Sequence, residues 1–189
     1  MERLVGWSVT VMLENQVIEE EQRDVIFYGL DLLYSSIISM LSFVFFGLLL
    51  KQITVTMILL LFFIPLQSFG GGYHCQTHFR CWLLMMIGYI FAIFVLLKLP
   101  IYILLIVALV GSPAALVFAP IENPEAPFGE DFRRKMRKIF MAVFFVALIL
   151  VALLSVSHMM IAGPILVAVI LSEVSITSAK IKQFYKERK

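Results

Sequence analysis

Charge is what this chain has least of. Only 15% of its 189 residues are Asp, Glu, Lys or Arg, against 61% hydrophobic residues, and Phe alone contributes 17. A soluble domain carries about a quarter charged residues, so an ordinary water-facing surface is excluded and most of the exterior must face hydrocarbon. The net charge is only +2, and no nucleic-acid partner is expected. Cysteine and histidine are scarce, with two and three copies. No repeat or low-complexity linker divides the chain. The expectation is an all-α integral membrane protein, with an amphipathic segment at 1–24, one polytopic membrane domain at 25–179 and a basic tail at 180–189.

What the chain does have is a series of apolar runs. In the first 24 residues Leu4, Trp7, Val11 and Ile18 recur at nearly helical spacing opposite Glu2, Glu14 and Glu20. An interfacial amphipathic helix fits this pattern, as does an ordinary polar leader. The segment is too charged for a secretory signal. Six apolar segments follow: 25–50, 53–66 with Pro65, 81–97, 101–119 interrupted by Gly111-Ser112-Pro113, 139–156, and 158–177 with a kink expected at Gly163-Pro164. A length of about 20 residues spans hydrocarbon about 30 Å thick. The second run is therefore short, and irregular backbone is expected at its end, in Gly70 to Gly72.

The basic residues orient the spans. Five lie between Arg133 and Lys138 and five between Lys180 and Lys189, whereas Lys51 and Lys98 stand alone in the loops of opposite parity. The positive-inside bias then puts both termini, the 120–138 loop and the loop after the second span on the cytoplasmic side. Anchoring of the basic clusters to anionic lipid follows from the same placement.

Three glycines, both cysteines and two of the three histidines fall in Gly70-Gly71-Gly72-Tyr73-His74-Cys75-Gln76-Thr77-His78-Phe79-Arg80-Cys81. A thiol and an imidazole are a nucleophile and its base, and neither is needed to stabilise an apolar helix. On one unbroken helix His74 and Cys81 would share a face about 10 Å apart along the axis, too far for proton transfer. A working pair requires broken backbone between them, which the glycines permit. Cys81 is then expected at the start of the third helix, whose first-turn amides can meet an oxyanion. Packed cysteine and solvated histidine are the common roles of these residues; it is their clustering that favours chemistry. His74, Cys75, His78 and Cys81 match no common zinc spacing, so no metal or other cofactor is expected. A Cys75–Cys81 disulfide is not expected in a reducing cytoplasm.

Gly71-Gly72-Tyr73-His74, six residues, then Cys81 resembles the signature of the accessory gene regulator B (AgrB) family of bacterial membrane peptidases. The block Ala119-Pro120-Ile121-Glu122-Asn123-Pro124-Glu125-Ala126-Pro127-Phe128 is similar to the family's loop before its last two helices. The resemblance implies a cysteine endopeptidase of the bacterial cell membrane, with His74 and Cys81 as the catalytic pair facing the cytoplasm. It would cleave the C-terminal part from a quorum-sensing peptide precursor with an amphipathic leader and promote cyclisation to a thiolactone or lactone. A homodimer is plausible on the same resemblance. Where family members commonly carry arginine before the glycine pair, this chain has Gln67 and Ser68.

Gln67, Ser68, Gly71, Gly72 and Arg80 are therefore candidates for support or substrate contact. Asp31 and Glu173 are the carboxylates within spans, each readable as an interface-depth group or as a partner for His74 or the substrate. Two rival readings belong to other classes. A small transporter or exporter would use Gly-Pro-broken helices, but this chain shows no two matching halves. A non-enzymatic membrane scaffold would need neither thiol nor imidazole.

Overall fold

The computed structural model describes residues 2–73, 77–94, 96–121, 129–155 and 158–188. Those residues form helices joined by short connections, with no strand among them. Contacts divide the chain into two units, Met1–Leu49 and Leu50–Lys189.

The first unit pairs α1 (Glu2–Glu14) with α2 (Arg23–Leu49). Val5 and Val9 are buried on α1 while Leu4 and Trp7 are exposed. Ser8 Oγ and Tyr34 OH, 2.9 Å apart, tie the two helices. The helix expected to continue past Ile18 stops at Glu14 for a local reason. Gln16 adopts φ 55°, its amide bonds the Leu13 carbonyl at 2.9 Å, and the Val17 amide bonds the Met12 carbonyl at 2.9 Å. This paired capping satisfies carbonyls that a helix end otherwise orphans.

The second unit contains α3 (Ile53–Gly70), α4 (His78–Phe94), α5 (Ile101–Phe118), α6 (Glu130–Leu154) and α7 (Met159–Glu187). Among the described residues five helices, α2, α3, α5, α6 and α7, are long and apolar enough to cross a membrane. The 17 residues of α4 rise about 26 Å, just short of the hydrocarbon thickness. The apolar helices are those of a multi-pass membrane protein.

Helix α7 is the hub. Its residues from Ala162 to Ile170 are buried on nearly every face, and α3, α5 and α6 all pack against it. Each neighbour offers one stripe: Leu104, Ala108, Ser112, Ala115 and Ala119 follow α5, and Phe140, Phe144, Ala147 and Val151 follow α6. Steps of three and four residues keep each stripe on one face. The small residues along α5 let backbones approach closely, which is how helices associate where lipid is as apolar as leucine.

Several sequence expectations change. Gly111-Ser112-Pro113 does not interrupt α5, and Pro164, where the sequence predicts a kink, lies within the span of α7. Proline removes one backbone bond, and packed neighbours in a bundle compensate for that loss. Helix α3 also runs through Pro65 to Gly70. Finally, α6 begins at Glu130, nine residues before the apolar run, and α7 continues through the basic tail to Glu187.

Candidate functional site

The site is built where α3 ends. The Gly70 carbonyl accepts the Ile121 amide at 2.9 Å, joining the last turn of α3 to the chain that follows α5. A Cβ on Gly70 would come within 2.7 Å of the Phe140 ring of α6 and 3.1 Å of Ile176 of α7. Three helices and the chain that follows α5 thus converge on one glycine. The next residue, Gly71, has φ 68°, and a Cβ there would strike the Ile121 carbonyl. Glycine is required at 71 both for conformation and for space. The glycine signature and the Ala119-Pro120-Ile121 block, far apart in sequence, are in backbone contact.

Gly72 is a glycine for space. A Cβ on it would overlap Gln67 Nε2 and Ser175 Oγ. Those atoms are themselves bonded at 3.0 Å, and the Tyr73 amide donates to the same Ser175 oxygen at 3.1 Å. Lys182 Nζ sits 4.6 Å from the centroid of the Tyr73 ring, a cation over an aromatic face. Gln67 Oε1 is buried and has no hydrogen-bond partner among the described residues, an arrangement that carries a cost unless a polar group reaches it.

After Tyr73 the described chain resumes at Thr77. Thr77 Oγ1 lies 3.4 Å from the Arg80 amide and the Thr77 carbonyl accepts the Cys81 amide at 3.1 Å, so Thr77 caps α4. Cys81 is the fourth residue of α4, half-buried and free. Two of the first amides of α4 are committed to Thr77, so an oxyanion on this helix would have to use earlier ones. Phe79 and Trp82 stack with centroids 5.9 Å apart beside it. His74 and Cys75 lie outside the described residues, as do Glu122 to Phe128 and the side chain of His78.

The structure brings Gln67, Gly71 and Gly72 together. Ser68 and Arg80 are exposed, and Asp31 belongs to the other unit. Glu173 is 3% exposed, and its Oε1 lies 3.0 Å from Ser112 Oγ of α5. A Cβ on Gly111 would strike its carboxylate. Positions 173 and 175 point about 200° apart around a helix, so α7 gives its carboxylate to α5 and its hydroxyl to the α3 end.

Sequence reading did not single out Ser175 or Lys182, and took Tyr73 only as part of the glycine signature. The available signal was the polar set Ser172, Glu173 and Ser175 interrupting an otherwise apolar run in α7. Polar residues within a span face protein in most cases. Among the described residues no group of side chains forms a metal-ligating cluster.

A polytopic α-helical membrane protein whose helix ends close around a glycine turn is the class these features define. The family model described as Accessory gene regulator B matches residues 7–177, and the chain belongs to the AgrB family. No curated protein and no solved structure matched in the same comparisons. Family membership supports a role in quorum-sensing peptide processing.

Proposed function

We propose that this protein is a membrane cysteine endopeptidase that cuts a quorum-sensing peptide precursor and promotes its cyclisation. The observation that carries the reading is the break between α3 and α4, with Cys81 one turn into α4 and the Gly71–Tyr73 segment folded beside Gln67 and Ser175. A thiol at the start of a helix, next to a glycine turn leading into a histidine, is the layout a nucleophile and base require.

The Cys81 sulfur attacks a precursor carbonyl while His74 takes the thiol proton. Collapse of the tetrahedral intermediate breaks the C–N bond, His74 returns the proton to the departing amine, and a thioester to Cys81 remains. A cysteine thiol or serine hydroxyl of the precursor then attacks that thioester. The ring closes as a thiolactone or lactone, and the Cys81 thiol is restored. Exclusion of bulk water favours this capture over hydrolysis. The polar ends of α6 and α7 carry basic residues on the same side as Gly70, consistent with a site served from the cytoplasm.

Co-expression with the precursor tests the reading. Wild type and Cys75→Ala release the processed peptide, and Cys81→Ala and His74→Ala do not. Release by either of the last two would overturn it.

A further inference from the structure

We infer that Ser175 is a positioning residue for the processing reaction, fixing the backbone directly ahead of His74 to α7. The inference rests on the peptidase reading above, because the reaction it serves is that of Cys81 and His74.

Ser175 Oγ accepts two hydrogen bonds, from Gln67 Nε2 at 3.0 Å and from the Tyr73 amide at 3.1 Å. Both lone pairs of the hydroxyl are therefore used. One donor comes from the last turns of α3 and the other from the turn itself, so a single oxygen joins three pieces of chain. Gly72 makes the approach possible, because a side chain there would overlap both bonded atoms. Lys182 stands seven positions after Ser175, on the same face of α7, and covers the Tyr73 ring. Backbone and side chain of Tyr73 are thus held by one face of one helix, and that helix is the most buried element of the unit.

The need for such an anchor follows from the chemistry. Glycine-rich backbone is free to sample many conformations, and a 1 Å misplacement of a reacting group costs about 100-fold in rate. A base that follows two glycines has to be fixed by something outside its own segment. Tyr73 is the residue between those glycines and His74, and its amide is the atom that Ser175 holds.

The test uses the full-length protein in lipid–detergent micelles. Its substrate is a synthetic precursor peptide with an amphipathic leader, a central cysteine or serine and an acidic tail. Ser175→Ala is expected to lower kcat about 10- to 100-fold, with KM within about threefold of wild type. The thermal unfolding midpoint should fall by only a few degrees, the cost of two part-buried donors left without their acceptor, and Ser175→Thr, which keeps the acceptor oxygen, should restore kcat to within about threefold. Wild-type kcat in Ser175→Ala overturns the inference. So does a loss that Ser175→Thr shares and that follows thermal stability, since that is the behaviour of a brace alone. Cys81→Ala separates the two levels: inactive Cys81→Ala beside a fully active Ser175→Ala removes only the role of Ser175, whereas cleavage by Cys81→Ala removes the peptidase reading and this role with it.

Discussion

Ser175 and Tyr73 are 102 positions apart, yet the Tyr73 amide donates to the Ser175 hydroxyl oxygen at 3.1 Å. The last helix of the bundle thus holds the turn that opens the candidate site. Residues around that turn should therefore respond to substitution out of proportion to their size.

Gly71→Ala combines a positive φ with a collision at the Ile121 carbonyl. A positive φ with extended ψ, a region essentially restricted to glycine, alone costs a residue with a Cβ about 1–3 kcal/mol. The variant should unfold at lower temperature than wild type in micelles and lose most precursor processing, because Ile121 cannot keep its bond to Gly70. Gly72→Ala should spare more stability while still losing activity, since what it displaces are the side chains of Gln67 and Ser175. Thermal unfolding and processing assays on the two variants check the contrast.

Lys182→Met keeps a long apolar stem and removes the cation above Tyr73. A cation–π contact at a partly exposed site is worth about 0.5–1 kcal/mol. Processing should fall about two- to fivefold, and Lys182→Arg should recover most of it. Steady-state kinetics on both variants read the difference.

Glu173 predicts a split between two substitutions. Ser112 Oγ lies 2.7 Å from the Ala108 carbonyl and 3.0 Å from the Glu173 carboxylate, two acceptors for one hydroxyl proton. Glu173→Gln can donate to Ser112 while Ser112 donates to Ala108, so its stability should equal or exceed wild type. Glu173→Ala leaves a void against Gly111 and should cost about 1–3 kcal/mol. Thermal inactivation in micelles separates them.

At the other end of α3, Thr56 Oγ1 is 2.9 Å from the Gln52 carbonyl and 2.6 Å from the Tyr89 hydroxyl. The carbonyl can only accept, so Thr56 donates to it and Tyr89 donates to Thr56. This bond ties α3 to α4 about 20 Å along the helix from Gly70. A double-mutant cycle of Thr56→Val and Tyr89→Phe should give a coupling of about 0.6–1.7 kcal/mol, with processing little changed.

The helices were legible in the sequence because lipid exposure leaves long apolar runs and charges mark their ends. Less legible were the boundaries: α1 stops at Glu14 through a turn whose left-handed residue is a glutamine, and α6 starts early because Arg133 to Lys138 are good helix formers at the water boundary. The glycine cluster announced the turn, but not what surrounds each glycine. Gly71 faces Ile121 and Gly72 faces Ser175, contacts over long sequence separation that no local pattern records. Glu173 was legible as a polar residue within a span and Ser175 was not, because serine is common in membrane helices whereas a carboxylate there stands out.

The most direct measurement is the mass of the intact protein after a brief incubation with precursor and an acid quench. If Cys81 is the nucleophile, a fraction of wild-type protein gains the mass of the N-terminal precursor fragment less one water. That adduct is released by hydroxylamine, maps to Cys81 and is absent from Cys81→Ala. Turnover of the precursor with no such adduct in the wild type, or an adduct that persists in Cys81→Ala, would contradict the account.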